Sequence, residues 1–245
     1  EVLRWRDAQD RLEKERREAL RPDRPQVIHL GSKSWSGLQL SPDQRFVTLR
    51  LRFDASTEST QVPHFVDPTG YLDIKKARPK VGHSQDTYEM GIYDRQRDTF
   101  YTVSTLSLEG IYDKPAYRIA VYGDTAAQYE SPRDVILHGP VFSDQGRAVV
   151  VVRALDNKTR WIAALDLPTG QLRQIDRQQD DAWVGGPGIS GWNFSTGTLG
   201  WLDEQSIFYQ SEATGYSHLY THGSLRGTCR GHILKDGIVH VRHIS

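Results

Sequence analysis

The chain has 245 residues, 37% hydrophobic and 25% charged, and its 31 basic and 31 acidic side chains cancel to zero net charge. That length suits one large all-β domain or two small ones, and the neutral balance gives no long-range pull on nucleic acid or anionic lipid. The single cysteine, Cys229, rules out an intrachain disulfide, and no apolar run approaches a membrane span.

Leu3 to Leu20 reads as a helix. Asp7/Arg11, Asp10/Lys14 and Glu13/Arg17 are acid-before-base pairs four residues apart, each worth roughly 0.2–0.5 kcal/mol. The apolar stripe of Trp5, Ala8 and Leu12 is thin, and Pro22 and Pro25 end the pattern. Residues 1–25 are therefore expected to be a solvated helical connector. The interleaved acids argue against a nucleic-acid arm.

From Val27 onward strands dominate, and one pattern recurs: strand, tight polar turn, apolar strand. It occupies Leu38–Arg50, Pro140–Val152 and Leu199–Tyr209. Further strand pairs follow at Tyr88–Val103 and Trp161–Ile175. A recurring four-strand unit is how a β-propeller is written in sequence. The expected fold is all-β: a partial propeller of four-stranded antiparallel blades over residues 26–221, preceded by the short N-terminal helix. In Phe46–Phe53, Val47, Leu49, Leu51 and Phe53 alternate with Phe46, Thr48, Arg50 and Arg52, as in a half-buried strand. Val149–Val152 is apolar on both faces, as in a strand covered by neighbouring blades. Ser56–Lys80, with Pro63, Pro68, Gly70 and Pro79, reads as a long irregular loop. Tyr117–Tyr122 reads as a strand, and residues 222–245 depart from the blade pattern, as an atypical tail or a truncated blade.

Few constellations carry chemistry. Gly188–Trp192 resembles a nucleophile elbow but has Trp192 where the last glycine belongs and lacks the strand-to-helix context. Cys229, His232, His240 and His243 are zinc-capable types at non-standard spacing; a strand over Ile238–Ile244 would put His240 and His243 on opposite faces. Gly185–Gly188 lacks the helix and the Lys-Ser/Thr of a phosphate loop. Asp180-Asp181 and Asp203-Glu204 are adjacent acids, a spacing that splays carboxylates apart. No catalytic residue, metal or cofactor is therefore expected. Trp183, Trp192, Trp201 and Tyr209 form an aromatic group that reads chiefly as blade core, and Glu212 and His218 flank a turn at Gly215.

Several segments together resemble the propeller of dipeptidyl peptidase IV and its bacterial relatives, in the prolyl oligopeptidase family. Ser211–Tyr220 is similar to their E-x-x-G-x-x-H-(hydrophobic)-Y stretch, with Trp183-Val184-Gly185 before it where they have Trp-Val-Gly. Ala77–Gly82 with Glu89–Asp94 looks like their Y-P-K-x-G segment and its following strand. Asn157–Trp161 with Asp166–Gly170 is similar to their R-W … D-x-x-T/S-G blade. The match spans about Gly37 to Thr221. It implies a serine peptidase of short peptides, with a propeller capping an α/β-hydrolase domain that carries the catalytic groups. The expected partners are that missing domain and a peptide substrate. The resemblance favours a periplasmic or secreted setting, and open blade edges lead us to expect self-association. It places a substrate-gating loop at Trp183, Gly185, Gly186, Trp192 and Glu212. The segment Ile28–Gly37, where the family holds the substrate amine with a Glu-Glu pair, has no acid, and no such pair occurs in the chain. The alternatives are a non-enzymatic propeller for binding or assembly and a different enzyme built on a propeller.

Overall fold

A computed structural model describes residues 2–19, 27–65, 68–123, 125–189, 194–223 and 232–233. After helix α1 (Val2–Ala19), three four-stranded antiparallel sheets follow in chain order, and none of them closes on itself. The first blade contains β1 (Ser34–Leu40), β2 (Phe46–Phe53), β5 (Thr87–Asp94) and β6 (Thr99–Thr102), paired in that order. The second runs β7 (Val135–Phe142), β8 (Ala148–Ala154), β9 (Thr159–Asp166) and β10 (Gln171–Gln179). The third runs β11 (Leu199–Trp201), β12 (Ile207–Ser211), β13 (His218–His222) and β14 (His232–Ile233). This is the expected succession of propeller-type blades.

Short polar turns make the repeat. Between β1 and β2, Ser41 Oγ donates to Asp43 Oδ1 and accepts the Phe46 N–H. Between β7 and β8, Ser143 Oγ accepts the Arg147 N–H, and Gly146 supplies a positive φ of 80°. Between β11 and β12, Asp203 Oδ1 accepts the N–H groups of Gln205 and Ser206. In each case a small polar side chain satisfies turn amides that no strand can pair.

Burial comes from blade against blade. Strand β8 sends Val150 and Val152 into a cluster with Phe46, Met90 and Ile92 of the first blade. Its Val149 faces the opposite way, into a cluster with Ile162, Ile207, Tyr209 and Tyr220. Val149 to Val152 are fully buried, as their two-sided apolar pattern predicts.

Three local expectations are corrected. Tyr117–Tyr122 lies in a helix, α2 (Ala116–Tyr122), capped by Pro115 and by Gly123 at φ 69°. Its period-2 apolar pattern has no sheet edge to meet, and Pro and Gly at its two ends bracket a helical turn. Ser56–Lys80 contains a hairpin, β3 (Ser59–His64) with β4 (Asp73–Pro79), inserted between β2 and β5. Its strands are almost wholly exposed, so no hydrophobic alternation marked them. Strand β2 is covered on both faces over most of its length, Thr48 being buried, because the neighbouring blade packs on its second face. Within residues 222–245 the described strand is β14, whose His232 pairs with Thr221.

Candidate functional site

The segment from β10 to β11 crosses from the second blade to the third and is pinned at both ends. Asp180 Oδ1 accepts the N–H groups of Ala182 and Trp183, bending the chain off β10. The turn between β8 and β9 holds it from below: the Asn157 carbonyl accepts the Val184 N–H at 2.7 Å, and Lys158 Nζ donates to the carbonyls of Asp181 and Ala182. Farther along, the Thr198 N–H donates to the Gly188 carbonyl, and Ser217 Oγ to that of Pro187.

This anchoring brings four of the five expected gating residues to one place. Gly186 has φ +100°, and a Cβ there would fall inside the Glu212 carboxylate. Gly188 is approached in the same way by the Gln210 side chain. The glycines thus allow the β12–β13 turn to close over the loop. Gly185 packs beside the Trp183 ring. Trp183 is 71% exposed, while Val184 beneath it is buried. The aromatic group is therefore split: Tyr209 is core, Trp201 packs against the same cluster, and Trp183 is surface. Trp192 lies outside the described residues, as do Ser190 of the elbow-like motif and Cys229, His240 and His243. Among the described residues no group of three or more His, Cys, Asp or Glu side chains could hold a metal. No described helix is long and apolar enough to cross a membrane.

The adjacent acids splay into separate structural duties. Asp180 and Asp203 cap turns, while Glu204 accepts from Ser143 Oγ at 2.8 Å and from the Gln145 N–H.

A cationic group lies beside this loop, and sequence reasoning missed it. Arg160 of β9 is fully buried and donates to the carbonyls of Gln210 (2.9 Å) and Thr196 (3.4 Å) and to Gln178 Oε1. Desolvation lowers its pKa to about 10, against the pull of Asp176. Arg153 of β8 donates to the Val184 carbonyl, and burial lowers its pKa too. Arg50 reaches over from β2, donating to the Leu137 carbonyl and stacking 4.2 Å above the Phe194 ring. His138 of β7 lies among them, fully buried, 6.2 Å from Phe194. Burial first, and then these three arginines, push its pKa down to about 4, offset in part by the Phe194 backbone. The available signal was an arginine between apolar strand neighbours at Arg50 and Arg153, and one directly before Trp161 at Arg160.

The blades define a class, the antiparallel propeller-type β protein, and solved structures place the chain within it. A protein described as a dipeptidyl aminopeptidase IV from Bacteroides ovatus ATCC 8483 matches with a TM-score of 0.52 and 12% identity, over 80% of this chain and 25% of its own. Porphyromonas gingivalis dipeptidyl peptidase 4 matches with a TM-score of 0.53 and 15% identity, over 79% of this chain and 23% of its own. The chain spans about a quarter of the length of these structures, and at such identities the likeness is one of fold. No family model and no curated protein sequence matches it.

Proposed function

We propose that this chain is the propeller portion of a dipeptidyl peptidase IV-type serine peptidase acting on short peptides, where it gates access to a catalytic domain borne elsewhere. The observation that carries this reading is the joint one of fold and position. The three blades match dipeptidyl peptidase IV-type structures over four-fifths of the chain. The segments resembling that family, Trp183–Gly185 and Ser211–Tyr220, fold into one loop cluster where Glu212 meets Gly186. An exposed Trp183 on an anchored loop is suited to contact an extended peptide, since a rigid aromatic surface costs little entropy to present.

The test is hydrolysis of Xaa-Pro-anilides by the full-length protein and by this 245-residue chain. Turnover is expected from the full-length protein alone. Turnover by the chain alone, or none by the full-length protein, overturns the reading. Trp183→Ala in the full-length protein is expected to raise KM more than it lowers kcat.

A further inference from the structure

We propose that the cleft beneath helix α2 is a subsite for a basic side chain of the bound peptide, held by Asp134 beside the phenol rings of Tyr117 and Tyr129. The proposal rests on the peptide-gating reading above and adds to it the chemical class of one side chain.

The cleft has a volume of about 260 Å³ and lies where α2, the segment leading into β7 and the β8–β9 turn meet. Tyr117 comes from the helix, Tyr129, Ser131 and Asp134 from the segment before β7, and Asp156 from the turn. A cavity of roughly 150 Å³ takes a benzene ring, so this one has room for the end of an arginine or lysine side chain. It adjoins the Trp183 loop. Lys158 Nζ, 5.5 Å from the Tyr117 ring centroid, donates to the carbonyls of Asp181 and Ala182. Asn157, next to Asp156, accepts the Val184 N–H.

The lining selects a cation. Its charged residues are Arg118, Arg133, Asp134 and Asp156. Arg133 Nη2 donates to both oxygens of Asp156 at 2.8 Å, and its Nη1 donates to Thr159, so this pair is internally satisfied. Arg118 stacks 4.8 Å over the Tyr122 ring of its own helix. Asp134 is exposed, its backbone carbonyl accepts the Leu155 N–H, and among the described residues its carboxylate has neither a hydrogen bond nor an ion pair. The phenol oxygens of Tyr117 and Tyr129 and the Ser131 hydroxyl are likewise without a protein partner among the described residues. The two rings already stand within cation–π reach of the chain's own lysines, Lys158 at 5.5 Å from Tyr117 and Lys114 at 5.4 Å from Tyr129. An incoming guanidinium or ammonium can donate to Asp134 and to these hydroxyl oxygens together, a charge-assisted set of bonds that an apolar side chain cannot make.

The experiment is calorimetric titration of the full-length protein with N-acetylated pentapeptide amides, alanine at four positions and arginine, lysine, norleucine or tyrosine at the centre. The blocked amino terminus removes the peptide's other cation and keeps binding separate from turnover. The arginine and lysine peptides are expected to bind roughly tenfold or more tightly than the norleucine peptide. That advantage should vanish in Asp134→Asn, persist in Asp134→Glu, and shrink in Tyr129→Leu. Equal binding of basic and norleucine peptides, or no binding of either, overturns the subsite. An advantage unchanged in Asp134→Asn overturns its placement in this cleft. A tyrosine peptide that binds as tightly as the arginine one overturns the choice of a cation. Each of these outcomes leaves the gating reading standing, because that reading fails only on anilide turnover.

Discussion

The second blade and the first share one four-stranded antiparallel order, yet their first strands, each at a sheet edge, differ in burial. In β7 the first four residues are buried; in β1 all seven are exposed. The β3–β4 hairpin goes further, exposing Val62, Phe65, Tyr71, Leu72 and Ile74. The second blade has a neighbour on each face, with one apolar cluster toward the first blade and another toward the third. The strand pattern is thus a property of each blade, whereas burial is a property of the pair.

The contrast is broken most forcefully at Trp161. It is fully buried in β9, and its Nε1 donates to the Glu109 carbonyl at 2.9 Å. Trp161→Ala is expected to cost about 3–5 kcal/mol by the cavity it leaves, read as a fall in the denaturant midpoint. Trp35→Ala in β1, where the ring is 56% exposed, is expected to change stability by less than about 0.5 kcal/mol. Comparable losses at the two sites would show that β1 is covered in the folded protein.

Acid should open the blade junctions in sequence. His138 titrates near 6.5 when unfolded and near 4 when folded, so the unfolded chain binds the extra proton. Its contribution is complete above pH 6.5 and is lost as pH falls toward 4, by up to about 3 kcal/mol. His138→Phe should flatten that slope, and an unchanged slope would assign it to other groups. Asp94 of the first blade behaves separately. Its hydrogen bond from Arg45 holds its carboxyl below the usual 3.8, so its contribution falls only at still lower pH.

A smaller effect sharpens the view of the loop between blades. Gly186→Ala combines a left-handed backbone with a collision against Glu212 and is expected to cost about 1–3 kcal/mol. Glu212→Ala should recover part of that cost in the double variant, leaving the backbone share. Strict additivity in a thermal or denaturant titration would show that the two residues do not meet.

Much of the fold was present in residue order. The Ser41–Arg45 and Ser143–Arg147 turns, with their small polar residues, announced tight hairpins, and the valine run announced a strand buried on both sides. These are local signals, written in neighbours along the chain. The β3–β4 hairpin was illegible because its strands bury nothing, and α2 was misread because Ile119 and Val121 alternate without a sheet to receive them. Of the residues proposed to gate, Trp183, Gly185, Gly186 and Glu212 could be named from resemblance, but nothing in their spacing showed that Glu212 closes on Gly186.

The sequence by itself determined the blade repeat, its turns and the two-sided burial of β8, because each depends on contacts within a few residues or one hairpin. Only the tertiary structure decided that Arg50, His138, Arg153 and Arg160, spread over 111 positions, converge beside one loop. Strand alternation says which way a side chain points, but the charge it meets is set by which blade packs against that face.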